Sequence, residues 1–312
     1  MYDLIIIGSG PAGMTAGIYA ARREMKTLII GRELGGQMVW ANEIENYPGF
    51  EKINSFELIN KIKQQTVNFG VEMKNDEVKK IERTAEGGFL LYTNRETFEA
   101  KTVIIAMGLA PRRLAVPGEI EFNGRGVSYC ANCDGPFYKN KVVAVIGGGN
   151  SALDAAEVLS KMASQVYLIH RNESFKAFDT LVEEVKNRNN IKILLNTEIK
   201  QLMGDKNLAK ISIINNKNNQ EESIALDGVF VEVGRIASTD LVADLVERND
   251  KSQIIINSQT ETKTPGLFAA GDVTDTEFKQ ITIAMGQATI AALSAYRYLQ
   301  LQDKKGFVAK NY

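Results

Sequence analysis

Leu4-Ile5-Ile6-Ile7-Gly8-Ser9-Gly10-Pro11-Ala12-Gly13 decides the fold. Four apolar residues in succession, without alternation, suit a strand buried on both faces of a parallel sheet. The six residues that follow spell G-x-G-x-x-G; Met14 to Arg23 then reads as a helix and Thr27 to Ile30 as a second strand. In such a βαβ unit the glycines make the turn tight and let backbone approach a pyrophosphate at the helix start. Gly8, Ser9, Gly10, Pro11, Ala12 and Gly13 are therefore candidate contacts for a dinucleotide. Glu33 lies near the place of a ribose-binding acid, with Gly31 and Arg32 intervening.

The pattern restarts at Val142. Val142 to Ile146 is a second buried run, Gly147-Gly148-Gly149-Asn150-Ser151-Ala152 spells G-x-G-x-x-A, a helix runs on to about Met162, and Val166 to Ile169 is the next strand. Ala152 is small enough for the helix to pack closely on the strand. After each βαβ unit comes a stretch of alternating residues. Glu72 to Lys101, with a Gly87-Gly88 turn, and Ile191 to Ala225 both read as antiparallel meanders. Thr102 to Ala106 ends at Gly108, and Val229 to Val233 ends at Gly234. One plan thus occurs twice.

A third block, from Leu267 to Leu299, has no glycine motif of its own. Leu267 to Ala270 reads as a strand ending in Gly271-Asp272, and a helix from about Lys279 carries Ala284, Gly286, Ala288, Ala291, Ala292 and Ala295. This block is expected to return and complete the first domain. The expected architecture is α/β: two Rossmann-like, three-layer ββα dinucleotide-binding domains, the second inserted into the first. Residues 1–113 and 243–312 form one domain, and 114–242 the other. Pro111 and Pro117-Gly118 punctuate the passage between them.

Between the two modules stands Ser128-Tyr129-Cys130-Ala131-Asn132-Cys133-Asp134-Gly135-Pro136-Phe137-Tyr138, which holds the only two cysteines of 312 residues. A structural zinc site takes four ligands. His170 is the single histidine, so no metal is expected unless subunits share one. A disulfide ring this short removes little unfolded-chain entropy, and polar Asn132, Asp134 and Gly135 argue against two inert buried thiols. A redox dithiol remains, because C-x-x-C spacing lowers thiol pKa and thiolate is the attacking species. Asp134 is then a candidate proton donor or acceptor, or equally the turn former of Asp-Gly-Pro.

Lys and Arg number 37 against 38 Asp and Glu, for a net charge of −1. With no long charged run, nucleic acid and membrane surfaces are not expected partners. There is no signal-type N-terminus and no apolar run of about 20 residues. Two cysteines in such a chain fit a reducing cytoplasm. Trp40 reads as packing or loop surface.

The two nucleotide sites differ. After the second glycine turn, the next strand ends in His170-Arg171, with Lys176 nearby. Basic groups at the ribose-reading position accommodate a 2′-phosphate, which favours NADP over NAD. After the first, Gly35-Gly36-Gln37 and Asn46-Tyr47-Pro48-Gly49 are polar loop clusters, and Asp272 suits a hydrogen bond to a polyol chain. Main-chain amides at the start of the last helix suit the negative end of an isoalloxazine, so FAD is expected there.

Together these residues resemble the low-molecular-weight thioredoxin reductases of bacteria and archaea, nearly end to end and in order. The resemblance runs through Gly8 to Gly13, Gly35-Gly36-Gln37, Glu45 to Gly49, Cys130 to Gly135, Gly147 to Ala152, His170-Arg171, and Gly271-Asp272 with Lys279-Gln280. It implies FAD against Gly8 to Gly13, Gly35, Gly36, Gln37, Asn46, Gly108, Asp272, Lys279, Gln280 and Ile281. It implies NADPH against Gly147, Gly149, Asn150, Ser151, Ala152, His170, Arg171 and Lys176. Cys133 would face the flavin, Cys130 would attack the disulfide of thioredoxin or a thioredoxin-like protein, and Asp134 would be the acid–base residue. The family further implies a homodimer whose nucleotide domain rotates.

One departure bears on the donor: Asn172 and Lys176 stand where the family's phosphate-binding run has arginines. That leaves NADH or reduced ferredoxin open beside NADPH. A non-enzymatic redox-sensing flavoprotein is a further reading, whereas a ferredoxin–NADP reductase of this architecture would lack the dithiol.

Overall fold

The computed structural model describes residues 1–40, without the Trp40 side chain, and 43–302. The reading of Trp40 and the tail of the expected first domain, 303–312, lie outside the described residues. The chain forms two compact units, Met1–Ala110 joined by the stretch from Ala237 on, and Pro111–Ile236.

In the first unit, Tyr2–Ile7 is the central strand. It pairs in parallel with Thr27–Gly31 on one side (Leu4 opposite Thr27, Ile7 opposite Ile30) and with Thr97–Ile105 on the other (Ile7 opposite Ile105). Leu4, Ile5 and Ile6 are wholly buried, as the uninterrupted apolar run requires. Glu72–Asn75 adds in parallel beyond Thr27–Gly31, and Leu267–Ala269 beyond Thr97–Ile105. The third block therefore does return to the first sheet.

The meander is differently built from its sequence reading. Its three strands are Val78–Arg83, Phe89–Thr93 and Thr97–Ile105. Glu72–Asn75 belongs to the parallel sheet, and the nine-residue strand Thr97–Ile105 does two jobs. Its first half closes the meander; its second half, Thr102 to Ile105, is the buried parallel strand. Glu72-Met73-Lys74-Asn75 is mostly polar and only partly buried, which suits a sheet edge and a half-exposed meander strand alike.

Helix Pro11–Ala21 packs one face of this sheet against helix Ile281–Gln302. The seam is built of small residues: Ala12, Ala16, Ala20, Ala284, Ala288, Ala291, Ala292 and Ala295 form one buried cluster with Leu4, Ile6 and Phe268. Small side chains let two helices and a sheet approach closely. The opposite face buries Ile5, Ile7, Phe89, Leu91, Val103 and Ile105 under the meander, together with Val242 and Val246. A third cluster sets Met14 and Met38 on helix Ser55–Asn68 through Leu58, Ile59 and Ile62.

The second unit repeats the layers. Five parallel strands run in the order Val127–Ser128, Gly228–Val231, Val142–Ile146, Gln165–Ile169, Ile191–Leu194. Thr197–Gly204, Leu208–Asn215 and Glu221–Ala225 make its antiparallel meander. Here too the first predicted meander strand, starting at Ile191, is a parallel edge strand. Ala144, Ile146, Val229 and Val231 bury against the meander. Val143, Val145 and Phe230 bury against helices Asn150–Ser160 and Asp179–Lys186. Each unit is thus meander, sheet and helices, three layers deep. Helix Asp179–Lys186 was not legible as a helix; five of its eight residues are polar or charged, so its apolar stripe is only Leu181, Val182 and Val185.

Candidate functional site

In the first unit, the glycine turn joins strand Tyr2–Ile7 to helix Pro11–Ala21. Gly10 caps that helix without any side-chain hydrogen bond, and Pro11 takes the first helical position. The first backbone N–H groups are thus left for a ligand, at the positive end of the helix dipole. A Cβ on Gly13 would lie 1.8 Å from Gly8 O, so only glycine lets this helix seat on its strand. A Cβ on Gly10 would meet nothing nearer than 3.8 Å, and those neighbours are Gly35 and Gly36 backbone. Three glycines therefore border one open cradle.

Other predicted residues converge on it. Ser9 Oγ donates to Glu33 O at 2.8 Å, and Gly35 N donates to Ser9 O at 2.9 Å, which ties the two glycine loops together. Gln37 Nε2 donates to Asp272 Oδ2 at 2.7 Å, and a Cβ on Gly108 would stand 3.5 Å from that same Nε2. Asn46 Nδ2 donates to Gln280 Oε1 at 3.1 Å across 234 positions of sequence. Gln280 O receives Ala284 N at 2.9 Å, opening the last helix, with Ile281 as its first residue. Ala12 approaches Gly271, where an added Cβ would stand 3.1 Å from the Ala12 Cβ. Lys279 Nζ donates to Thr274 O at 2.7 Å, and burial lowers its pKa against the pull of Asp272 and Asp275. Sequence reading missed Gln287, whose Oε1 accepts the Gly271 N–H at 2.8 Å. It stands one residue before Ala288 on the helix that also carries Thr282, Thr289 and Ser294, so nothing in the sequence singled it out.

The residues fit a dinucleotide carrying a long polar chain. They supply an uncapped helix start for pyrophosphate, a glycine-lined cradle, and amide and carboxylate groups for hydroxyls.

In the second unit, Gly149 caps helix Asn150–Ser160, again without a side-chain bond. A Cβ on Gly147, where φ is +150°, would lie 2.2 Å from Glu232 O and 2.8 Å from the Ala152 Cβ. The His170 ring covers Gly148 and stacks on Phe175, with centroids 5.7 Å apart. Lys176 N donates to Gly148 O at 2.7 Å, and Asn150 Oδ1 accepts Phe178 N at 2.9 Å. His170, Lys176 and the Gly147 to Ala152 turn are therefore one assembly, with Ser151 exposed on its first turn. His170 Nε2 is buried with no hydrogen-bond partner. Burial lowers the pKa of this ring. An orphaned ring nitrogen beside an uncapped helix start suits a ligand phosphate or ribose. Arg171 and Lys176 are exposed, while the neighbouring acid Glu173 is paired with Lys217 at 3.3 Å.

The same unit carries Cys130 and Cys133, joined as a disulfide with Cα atoms 5.4 Å apart. Cys130 opens the short helix Ala131–Asp134, and its Sγ accepts the Cys133 N–H at 3.1 Å. Ser128 Oγ accepts the Cys130 N–H at 3.1 Å. Asp134 N donates to Cys130 O at 3.1 Å, so Asp134 does serve the turn; its half-buried carboxyl is the acid nearest in sequence to both sulfurs. Gly135 seats the segment on Leu159 and Met162 at the end of helix Asn150–Ser160.

Glu119 was not foreseen. It is 1% exposed and accepts three hydrogen bonds of 2.8 Å, from Leu114 N, Ala115 N and Tyr129 OH. Burial and the Glu119 carboxylate push the Tyr129 phenol up. A fixed Tyr129 fixes the residue before Cys130. Among the described residues no group of three His, Cys, Asp or Glu can hold a metal ion, and no helix is long and apolar enough to cross a membrane.

Residues 2–288 match the family model described as pyridine nucleotide-disulphide oxidoreductase. The chain belongs to that family, among its thioredoxin reductases. It is 38% identical to the thioredoxin reductase of Mycolicibacterium smegmatis over 97% of this chain and 98% of the relative. It is 35% identical to a bifunctional thioredoxin reductase/thioredoxin of Mycobacterium leprae, over 96% of this chain and 66% of that longer protein. The crystal structure of Lactococcus lactis thioredoxin reductase in its FR conformation superposes with a TM-score of 0.86 at 38% identity, covering 96% of this chain and 99% of the other. A family defined by pyridine nucleotides and disulfides implies flavin and nicotinamide cofactors. Two glycine turns and a Cys130–Cys133 bond are what this thioredoxin reductase fold offers them.

Proposed function

We propose that this chain is an FAD-dependent thioredoxin-disulfide reductase that draws electrons from NADPH. FAD takes the first unit and NADPH the second. The acceptor is thioredoxin or a thioredoxin-like protein, the molecule works as a homodimer, and its compartment is the cytoplasm. The observation that carries the reading is the Cys130–Cys133 bond in a chain with two uncapped glycine-turn helices. The name of the fused Mycobacterium leprae relative, a reductase continuous with a thioredoxin, supports the choice of acceptor.

A bound flavin supplies the two-electron carrier chemistry between nicotinamide and disulfide. The chain's residues do the rest. Gly8 to Gly13 hold the flavin nucleotide's pyrophosphate, and Asp272, positioned by Gln37, holds its polyol chain. In the second unit Gly147 to Ala152 hold the other pyrophosphate, and His170, Arg171 and Lys176 hold the 2′-phosphate. Once reduced, Cys130 Sγ attacks the partner disulfide and one partner sulfur leaves as thiolate. Cys133 Sγ then attacks Cys130 Sγ, releasing the second partner sulfur and restoring the Cys130–Cys133 bond. Two electrons pass to the partner, and Asp134 takes up or returns a proton at sulfur during the exchange.

The test is flavin absorbance of the purified protein through anaerobic addition of NADPH, NADH or reduced ferredoxin. Bleaching by NADPH at micromolar concentration, followed by turnover with thioredoxin, is expected. A colourless protein that does not take up FAD, or bleaching by ferredoxin alone, overturns the reading.

A further inference from the structure

Glu232 stands in the second unit at a place that neither the motifs nor the dithiol explains. It directly follows strand Gly228–Val231, and its N–H donates to Ile146 O at 2.8 Å. Its carbonyl oxygen lies where a Cβ on Gly147 would fall. Strand Gly228–Val231 lies on one side of Val142–Ile146, and Gln165–Ile169 on the other. The order of the sheet reverses between these two neighbours, so Glu232 borders the crevice at the switch point where ligands of open α/β sheets bind.

The halves of a dinucleotide can be assigned along that edge, resting on the reading of this turn as the nicotinamide-nucleotide site. His170, Arg171 and Lys176 take the adenosine end beyond Gln165–Ile169. The uncapped start of helix Asn150–Ser160 takes the pyrophosphate. The nicotinamide half is left to the other side, over the end of Gly228–Val231. Residues alternate along that strand: Val229 and Val231 face the meander cluster, Phe230 the helix cluster. Glu232 therefore points to the helix side, toward Asp154 of helix Asn150–Ser160.

The surroundings keep this acid mobile between its two protonation states. Its side chain is 11% exposed. Burial pushes its carboxyl up to about 7; Arg235, whose guanidinium is 4.0 Å away, opposes this, and Asp154 adds to it. Asp154 is itself pushed up by burial and by Glu184 and Glu157. Arg235 and Asp154 are the charged groups that act on Glu232. His170, at the far side of the turn, is pushed below its ordinary value and so titrates at lower pH.

Loss of a hydride leaves a nicotinamide ring with one positive charge, whereas the reduced ring is neutral. We propose that Glu232 reads this difference, its carboxylate favouring the oxidised dinucleotide over the reduced one in the second unit's site. Product would then leave more slowly, and donor bind relatively less well, when Glu232 is ionised.

The test is equilibrium binding of NADP⁺ and NADPH to the flavin-loaded protein, by calorimetry or fluorescence, from pH 6 to pH 8. The ratio of the NADPH to the NADP⁺ dissociation constant is expected to rise about tenfold across this range, as a one-unit coupling between ring charge and carboxyl implies. In Glu232→Gln the ratio should be flat. On the wild type, calorimetry in two buffers of different ionisation enthalpy should show NADP⁺ releasing more protons than NADPH near pH 7, a readout that does not depend on the variant folding. A ratio independent of pH in the wild type, or an unchanged slope in Glu232→Gln, overturns the inference while leaving the site assignment intact. Failure of either nucleotide to bind at all overturns the site assignment, and the inference with it.

Discussion

Removing the Glu119 carboxylate should unfold the second unit selectively and loosen the dithiol segment. Glu119 is enclosed, and its two oxygens accept Leu114 N, Ala115 N and Tyr129 OH, each at 2.8 Å. In Glu119→Ala three donors lose their acceptor inside the protein, and each orphan costs about 1–3 kcal/mol. A loss of about 3–6 kcal/mol follows, allowing for partial access of water to Tyr129. Glu119→Gln keeps the shape but offers one oxygen and one amide, so one N–H faces another donor and the loss falls to about 1–3 kcal/mol. Tyr129→Phe removes one donor and leaves the carboxylate its two backbone bonds, and should cost about 1.5 kcal/mol, the low end for a hydrogen bond to a charged group. Urea unfolding followed by circular dichroism measures the order. Alkylation of Cys130 in the reduced protein measures the local effect, because Tyr129 is its neighbour. Faster labelling is expected in Glu119→Ala than in Tyr129→Phe. Equal stability of all three variants and wild type would refute the argument, since it would mean that these donors find water as readily as carboxylate.

The raised Glu232 carboxyl makes a stability prediction of its own sign. Ionising a carboxyl in place at about 7 rather than at its ordinary 4.5 costs about 3 kcal/mol. A raised acid binds a proton more tightly in the folded chain, so its contribution is present below pH 4.5 and lost as pH rises through 7. Glu232→Gln should therefore flatten the fall in thermal midpoint of the nucleotide-free protein between pH 5 and pH 8; an unchanged fall counts against it. Arg171→Ala and Lys176→Ala should each raise the KM for NADPH about 10- to 100-fold, from the loss of one charge-assisted hydrogen bond, and leave NADH kinetics unmoved. Cys133→Ser should retain flavin colour and lose steady thioredoxin reduction, and steady turnover in that variant would exclude the dithiol from the route.

Both glycine turns, the parallel strands next to them and the Cys130–Cys133 pair were legible because each rests on local chemistry. A buried run, a turn that tolerates no Cβ, and two sulfurs three positions apart are all written within a dozen residues. What escaped reading was non-local. Glu72–Asn75 and Ile191–Leu194 are short and only partly buried, as meander strands are, and only their pairing with Thr27–Gly31 and Gln165–Ile169 makes them parallel edges. Thr97–Ile105 has no punctuation where it passes from one role to the other. Gln37 finds Asp272 across 235 positions, and the family resemblance, not periodicity, put both in one site. Glu119 and Glu232 carry no motif at all. Each is an ordinary surface residue by type, made consequential by enclosure, and enclosure is a property of the finished fold.

The two units share a weakness that explains the shared plan. A helix start with glycine at the cap, as at Gly10 and Gly149, gives up about a few tenths of a kcal/mol relative to one with a Ser, Thr, Asp or Asn cap. Helix Ser55–Asn68, which meets no turn of the G-x-G type, has its cap: Asn54 Oδ1 accepts Phe56 N at 3.0 Å and Glu57 N at 3.3 Å. Helices Pro11–Ala21 and Asn150–Ser160 both start from glycine with no such bond. Helix Asp179–Lys186 also starts without a side-chain cap, so bareness alone marks no site; at the two glycine turns it coincides with a backbone that tolerates no Cβ, at Gly13 and Gly147, and there the N–H groups are kept for a ligand. Bound phosphate supplies the missing acceptor, so each unit should gain stability with its own ligand by RT ln(1 + [L]/Kd), about 2.7 kcal/mol at a hundredfold excess over Kd. The gain should be separable. Stripping the flavin should lower the unfolding midpoint of the first unit's sheet, and adding NADP⁺ should raise that of the second, each followed by hydrogen exchange at Ile5 or Val145. Equal protection of both strands by either ligand alone would show that the bare helix starts do not act as independent sites.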